Sequence, residues 1–144
     1  YHELPAAQEA EPLDLTGSKV LAAEDNELNA EILQMMLRQA GADVTLVENG
    51  ELLVKAFEAA APNTYDYFFT DIMMPVMDGY EACRRIRALD RPDTQSIPII
   101  AMTANAVAED VQRSLDAGMD AHISKPFDLK KLQQCLAKLS QKRV

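Results

Sequence analysis

Four chemically useful groups each follow an apolar run. Glu24 and Asp25 follow Val20-Leu21-Ala22-Ala23, and Asp71 follows Tyr67-Phe68-Phe69-Thr70. Thr103 follows the run from Ile97 to Met102, and Lys125 comes just after Ala121-His122-Ile123. If those runs are parallel strands, all four groups reach one edge of a sheet, the edge where open parallel sheets bind ligands. Three carboxylates brought together repel, which raises their pKa values unless a cation compensates. A hard divalent ion such as Mg2+, or Mn2+ in its place, suits that cluster, held by carboxylates, waters and phosphate oxygens. Such an ion would neutralise an incoming phosphoryl group that bare acids reject. Lys125 adds a point charge for a phosphate oxygen, and the Thr103 hydroxyl can donate a hydrogen bond. Asp71 is then a candidate nucleophile, because carboxylates form aspartyl-phosphate intermediates. Alone, Asp71 would serve equally well to open the turn that Pro75 and Gly79 mark.

Convergence requires each apolar run to be a strand and each gap a helix. The run Val20–Ala23 is continuous, as expected of a strand covered on both faces. Asn26 can cap the next helix, whose stripe is Leu33, Leu37 and Ala40, widened by Ile32 and Met36, with Gly41 at its end. Val44 and Leu46 alternate with Asp43 and Thr45, as in a half-covered edge strand. Leu52, Leu53, Ala56, Phe57 and Ala60 make a second helix ended by Pro62. Ala82, Ile86 and Leu89 mark a third, with Arg84, Arg85 and Arg87 on its solvated side. The fourth strand carries Pro98 near its start, where the lost N–H is tolerable. Val107, Val111 and Leu115 then form a fourth helix closed by Gly118. After the short fifth strand, Leu129, Leu132, Leu136 and Leu139 make the last helix, whose basic end (Lys138, Lys142, Arg143) suits a helix dipole. Strands and helices alternating over short loops predict an α/β domain on a parallel sheet. Asp78-Gly79 reads as a turn and helix start. The methionines read as core filler, except Met73 and Met74, which sit beside Asp71 and would shield it.

The chain of 144 residues, 48% hydrophobic, fits one domain with a substantial core. A net charge of −9 argues against direct contact with nucleic acid. No stretch approaches the roughly 20 apolar residues of a membrane helix, so no membrane contact is expected. The acidic lead-in lacks the apolar segment of a signal peptide. Residues 1–17 are expected to be an acidic linker or tail, 18–140 the domain, and 141–144 a C-terminal tail. A chain starting at Tyr rather than Met reads as a piece of something longer. Cys83 and Cys135 are expected to be reduced core thiols of a cytoplasmic protein.

These stretches together, VLAAEDNELNAEIL, DIMMPVMDGYEACRRIR, PIIAMTANA and DAHISKPF, resemble the receiver domain of two-component response regulators from about Ser18 to Leu139. The resemblance implies a flavodoxin-like (βα)5 fold: a doubly wound, parallel five-stranded sheet of order 2-1-3-4-5. The two most polar strands, the second and fifth, would be its edges. Position by position, Asp71 resembles the phosphoacceptor. Asp25 resembles a direct Mg2+ ligand, Glu24 one acting through water, and the Met73 backbone carbonyl a further ligand. Thr103 resembles the hydroxyl that moves toward the phosphoryl group, and Lys125 the ion-pairing lysine. Pro126 follows Lys125 at a peptide bond that is cis in the family. Ala104 would leave the phosphoryl group accessible, while Asn105 matches a contact to the attacking water or a helix cap. The sequence departs from the family at His122, where Tyr or Phe is usual as a rotating switch. A His there could rotate and add pH sensitivity, or be inert on an edge strand.

The resemblance implies a domain that takes a phosphoryl group from phosphohistidine and changes conformation, catalysing only its own phosphorylation and dephosphorylation. EDNELN, MPVMDGYE and the acidic lead-in look most like receivers joined to hybrid sensor histidine kinases. Partners would be a histidine kinase phosphodonor domain or a histidine phosphotransfer domain, with the receiver a monomer or weak dimer. A stand-alone or DNA-binding response regulator lacking its output domain would share nearly all of this pattern. A haloacid-dehalogenase-like phosphatase also uses an Asp at a strand end, but needs a second Asp two residues on, where Met73 stands. A flavodoxin-like cofactor binder would meet repulsion from Glu24-Asp25-Asn26-Glu27.

Overall fold

The apolar runs end abruptly at polar residues, and in the computed structural model they form strands that stop in step. It describes residues 15–92, 94, 96–103, 108–125 and 128–142. The positions assigned from the resemblance to Ala104, Asn105 and Pro126 lie outside the described residues, as does the lead-in up to residue 14. Strands and helices alternate: β1 (Lys19–Ala23), α1 (Glu27–Gln39), β2 (Asp43–Val47), α2 (Gly50–Ala59), β3 (Tyr67–Asp71), α3 (Gly79–Ala88), β4 (Ile99–Thr103), α4 (Ala108–Asp116), β5 (Ala121–Ser124) and α5 (Leu129–Lys142). All strand pairs are parallel, in the order β2-β1-β3-β4-β5. This is the flavodoxin-like arrangement, with the polar strands β2 and β5 at the edges.

Each central strand feeds two cores, because alternate side chains leave opposite faces. Val20, Ala22, Phe69, Ile100 and Met102 meet Leu33 and Leu37 of α1 and Leu132 and Leu136 of α5. On the other face Leu21, Phe68, Ile99 and Ala101 meet Leu53 and Phe57 of α2 and Cys83 and Ile86 of α3. Cys83 and Cys135 are therefore free thiols buried on opposite sides of the sheet. Burial raises the Cys83 pKa to about 11, so that thiol is unreactive at neutral pH.

Local signals set the helix boundaries. Asn26 Oδ1 accepts from the Asn29 N–H at 3.0 Å and Asp78 Oδ1 from the Glu81 N–H at 2.9 Å, each a side-chain cap. Asn49 caps α2 in the same way, a signal not singled out in the sequence. Gly41, just past α1, has φ +101°, the conformation that favours glycine after a helix.

Several residues depart from the sequence reading. Strand β4 begins at Ile99, after Pro98, whose carbonyl still accepts from the Phe68 N–H at 2.9 Å. Leu15, from the stretch read as tail, is buried in the α1/α5 core, and its N–H donates to the Ala40 carbonyl at 2.7 Å. Leu115, expected in the core, is 49% exposed, and Ser114 and Ala117 are buried instead; Val107 and the Val111 side chain, the rest of the expected stripe, lie outside what the structure describes. Leu52 is likewise exposed, because Leu53, Val54 and Phe57 take the inner face of α2.

Arg87 is the largest departure. It does not lie with Arg84 and Arg85 on the solvated side; its side chain is only 13% exposed. Its guanidinium donates to the carbonyls of Gly118, Thr94 and Ile97 and to Asp120 Oδ2, all at 2.8–3.0 Å. Asp120 Oδ2 also accepts from the Ile99 N–H at 2.9 Å. One side chain thus ties α3 to the start of β4 and the end of α4. Arg87→Ala leaves those carbonyls unsatisfied and is expected to cost about 3 kcal/mol, read as a lower urea midpoint. Arg87→Lys recovers little of it, since an ammonium cannot reproduce the planar fork.

The β3–α3 loop, residues 72–78, is held tightly. The Gly79 N–H donates to the Ile72 carbonyl at 2.9 Å, and the Gly50 N–H to the Met77 carbonyl at 3.0 Å. A Cβ on Gly79 would collide with the Asp71 carbonyl oxygen, and one on Gly50 would lie 2.5 Å from the Met77 oxygen. Within this pinned loop Val76 adopts φ +71°, a conformation costing about 1–3 kcal/mol for a side chain of its kind.

Candidate functional site

The parallel register delivers the expected groups to one edge. Asp71, the last residue of β3, lies level with Met102, and Thr103, the last of β4, level with Ser124. Hydrogen bonds carry the pairing one residue beyond the strands: Glu24 N–H to the Val47 carbonyl at 3.1 Å, and Lys125 N–H to the Thr103 carbonyl at 2.8 Å. Residues distant in sequence therefore meet by backbone geometry.

Glu24, Asp25 and Asp71 each offer a carboxylate oxygen, and these atoms lie within 4.8 Å of one another. Glu24 and Asp71 are buried and Asp25 is exposed, which leaves the cluster open on one side. Lys125 Nζ sits 3.0 Å from Glu24 Oε1 and 3.1 Å from Asp71 Oδ2. Glu24 Oε2 accepts from the Asn26 N–H at 3.1 Å, so the cap residue of α1 also orients this acid. Thr70 Oγ1 donates to the Asp71 carbonyl at 3.1 Å.

The electrostatics follow from crowding. Burial, then the charge and hydrogen bonding of Glu24, push the Asp71 pKa up from 3.8 to about 7, partly offset by Lys125. Burial works against the charged form of Lys125, but Glu24 and Asp71 outweigh it and raise its pKa. The cluster is thus short of positive charge. Glu24 Oε1 is buried and, beyond its ion pair with Lys125, takes no hydrogen bond. Hard oxygen donors, among them a buried carboxylate oxygen paired only with Lys125, and one open side fit a divalent cation such as Mg2+.

A pH dependence follows. Asp71 is raised from 3.8 to about 7 on folding. Its contribution to stability is therefore fully present below the lower value and is lost as pH rises through the upper one. Without divalent ions, wild type is expected to lose thermal stability relative to Asp71→Asn between about pH 5 and pH 8. Millimolar Mg2+ is expected to cancel the difference at the alkaline end, as followed by circular dichroism. Mg2+ affinity is expected to weaken below neutrality, where protons compete for Asp71.

The remaining expected residues are not all in the cluster. Thr103 is buried at the end of β4, one strand over from Asp71. Met73, whose carbonyl was the expected ligand, turns its side chain outward, 78% exposed, so it does not shield Asp71; Met74 is partly buried against the α2/α3 core. His122 is exposed on β5, away from the acids, and lines a cavity of about 340 Å3 bordered by α4, β5 and α5. Gly50 and Gly79, which let the loop after Asp71 seat closely, were missed by sequence reasoning as positioning residues. The signal available was a glycine at each helix start, and its meaning depends on contacts between distant elements.

The family model for the response regulator receiver domain matches residues 20–137. A probable histidine kinase 2 from Oryza sativa subsp. indica is 38% identical over 140 residues, covering 90% of this chain and 13% of that protein. The sensor protein GacS of Pseudomonas syringae pv. syringae is 37% identical over 128 residues, covering 88% of this chain and 14% of that protein. The chain thus spans only about an eighth of such relatives. Among solved structures, the receiver domain of the sensor histidine kinase PA1611 from Pseudomonas aeruginosa PAO1 carries a magnesium ion in its active-site cleft. It is 40% identical with a TM-score of 0.73, over 83% of this chain and 93% of that one. The receiver domain of Ssk1 from Saccharomyces cerevisiae, solved with the histidine phosphotransfer protein Ypd1, is similar at 28% identity and a TM-score of 0.71, over 81% of this chain and 83% of that one. The chain belongs to the response regulator receiver domain family.

Proposed function

We propose that this domain accepts a phosphoryl group on Asp71 from a phosphohistidine, as one step of a phosphorelay. The observation that carries the reading is the acid cluster itself: three carboxylates at the sheet edge with Lys125 Nζ paired to two of them. In the transfer an Asp71 carboxylate oxygen forms the new bond to phosphorus while the phosphorus–nitrogen bond of the donor breaks. The departing imidazole takes up a proton and leaves neutral. A bound Mg2+ would supply charge neutralisation for the phosphoryl oxygens. Glu24, Asp25 and Asp71, with the Met73 carbonyl, are the groups we assign to hold it. Lys125 binds a further phosphoryl oxygen. Thr103 donates a hydrogen bond to the phosphorylated Asp71 and carries the change toward β5, where His122 occupies the outer face.

The relatives named above include a probable histidine kinase and the receiver domain of a sensor histidine kinase, so we assign the domain to a hybrid sensor histidine kinase with a histidine phosphotransfer protein as partner. The Ssk1–Ypd1 complex supports that class of partner. Incubation with acetyl phosphate and Mg2+, followed by intact-protein mass spectrometry, tests the reading. One alkali-labile phosphoryl group per chain is expected. Continuous release of many equivalents of phosphate would indicate a phosphatase instead, and no incorporation would contradict the assignment.

A further inference from the structure

The loop that carries the Met73 carbonyl is tied at both ends, and the ties come from different parts of the fold. At its start the Ile72 N–H donates to the Met102 carbonyl of β4 at 3.2 Å, and the Ile72 carbonyl accepts from the Gly79 N–H at 2.9 Å. At its far end the Met77 carbonyl accepts from the Gly50 N–H at 3.0 Å. Gly50 is the first residue of α2, so its N–H is one of the donors that a helix cannot satisfy within itself. Asn49 Oδ1 caps the same turn by accepting from the Leu52 N–H at 2.9 Å. Among the described residues, the Gly50 bond is the one hydrogen bond that joins residues 73–77 to another element. The other bond of this stretch, from the Met77 N–H to the Pro75 carbonyl at 2.8 Å, lies within the loop.

This contact leaves no room for a side chain. A Cβ on Gly50 would lie 2.5 Å from the Met77 oxygen, 3.0 Å from the Asp78 oxygen and 3.1 Å from the Ala82 Cβ. The Gly50 backbone is outside the left-handed region, so it is the close approach that calls for glycine. The loop it grips is also under strain. Val76 has φ +71° and is 76% exposed, so no packing within the domain holds it in a conformation that a β-branched residue avoids. Such strain persists only where the surroundings impose the path of the chain. Released at Met77, the turn would relax, and the segment from Met73 to Val76 would move with it.

We propose that Gly50 is a positioning residue for the metal site: by gripping Met77 without a side chain, the first turn of α2 sets the path of the loop and so the place of the Met73 carbonyl. This rests on the phosphoacceptor reading, with its Mg2+ held by the acid cluster, and adds a determinant on an element that contributes no ligand. Mg2+ demands near-ideal octahedral geometry and keeps its waters readily. A carbonyl moved out of place therefore gives way to water, and affinity falls while Asp71 and Lys125 stay where they are.

The test titrates Mg2+ by isothermal calorimetry into wild type, Gly50→Ala, Asn49→Ala and Leu132→Ala, at about pH 8, where protons compete least for the acids. Labelling by acetyl phosphate is followed across Mg2+ concentrations in the same proteins. Leu132 is fully buried in the core on the opposite face of the sheet from α2, so its variant loses stability without touching the loop. For Gly50→Ala the Mg2+ Kd is expected to rise about tenfold, the scale of losing an outer support of a metal site. Its labelling should slow at low Mg2+ and return to within about threefold of wild type at saturating Mg2+, because the nucleophile is untouched. Asn49→Ala frays the first turn of α2 without a collision and is expected to raise the Kd about threefold. Leu132→Ala is expected to lower the urea midpoint and leave the Kd within about twofold of wild type. The proposal is overturned if Gly50→Ala and Asn49→Ala both bind Mg2+ as wild type does, or if Leu132→Ala weakens binding as much as Gly50→Ala. Should Gly50→Ala not fold, Asn49→Ala decides alone, and an unchanged Kd overturns the proposal. Wild type that neither binds Mg2+ nor takes up phosphoryl would instead remove the phosphoacceptor reading itself.

Discussion

Asp71→Asn is expected to abolish phosphoryl incorporation from acetyl phosphate and, at the same time, to stabilise the metal-free domain at pH 8 by about 1–3 kcal/mol. The two effects share one cause. Asp71 is buried beside Glu24, and its pKa is pushed up to about 7, so above neutrality the fold holds a carboxylate that it disfavours. An amide of the same shape removes that charge, keeps the strand end, and offers no nucleophile. Mg2+ affinity should fall about tenfold or more, because one of three carboxylate donors is lost. Calorimetry or circular dichroism reads the stability, since the chain has no Trp. A variant that lost stability while still incorporating phosphoryl would place the nucleophile elsewhere.

Lys125→Met is expected to act in the opposite sense on stability. The ammonium lies 3.0 Å from Glu24 and 3.1 Å from Asp71, and both acids are almost fully buried. Removing the cation from a buried pair while leaving the carboxylates costs about 3–5 kcal/mol. Methionine matches the length of the stem, so the loss reflects charge more than volume. The pKa of Lys125 is raised, so its stabilising contribution is present through neutral pH and is lost only as alkaline pH deprotonates it. The variant's deficit should therefore persist at pH 8 and narrow when Mg2+ is added, because a divalent ion replaces the missing charge. Phosphoryl incorporation should slow about 100-fold, the scale of losing one preorganised charge at a reacting oxyanion. If added Mg2+ left the variant's melting temperature unchanged while raising that of wild type, the acids and the lysine would not form one site.

Much of this arrangement was legible because parallel strands read as continuous apolar runs that stop at polar residues. Ala23 to Glu24 and Thr70 to Asp71 are such stops, and a shared sheet edge follows once the strands are parallel. The strand order came from the resemblance, since periodicity does not say which strand lies beside which. What the sequence hid depends on tertiary contact. Arg87 follows the surface arginines Arg84 and Arg85, and only the approach of Gly118, Thr94 and Ile97 draws it inward. Leu115 has helical spacing, yet Ser114, one residue before it, takes the buried place. Val76 looks like an ordinary loop residue until its φ is known. Leu15 shows the same limit at the domain's edge, where an acidic, proline-containing stretch conceals a residue that enters the core.

Borohydride trapping is the most direct test of the claim that acids, amine and divalent ion act together on one nucleophile. An acyl phosphate on an aspartate is reduced to homoserine, which peptide mass spectrometry can locate. After treatment with acetyl phosphate, homoserine is expected at position 71 and only when Mg2+ is present. Homoserine at position 25, or at 71 to the same extent in excess chelator, would contradict it.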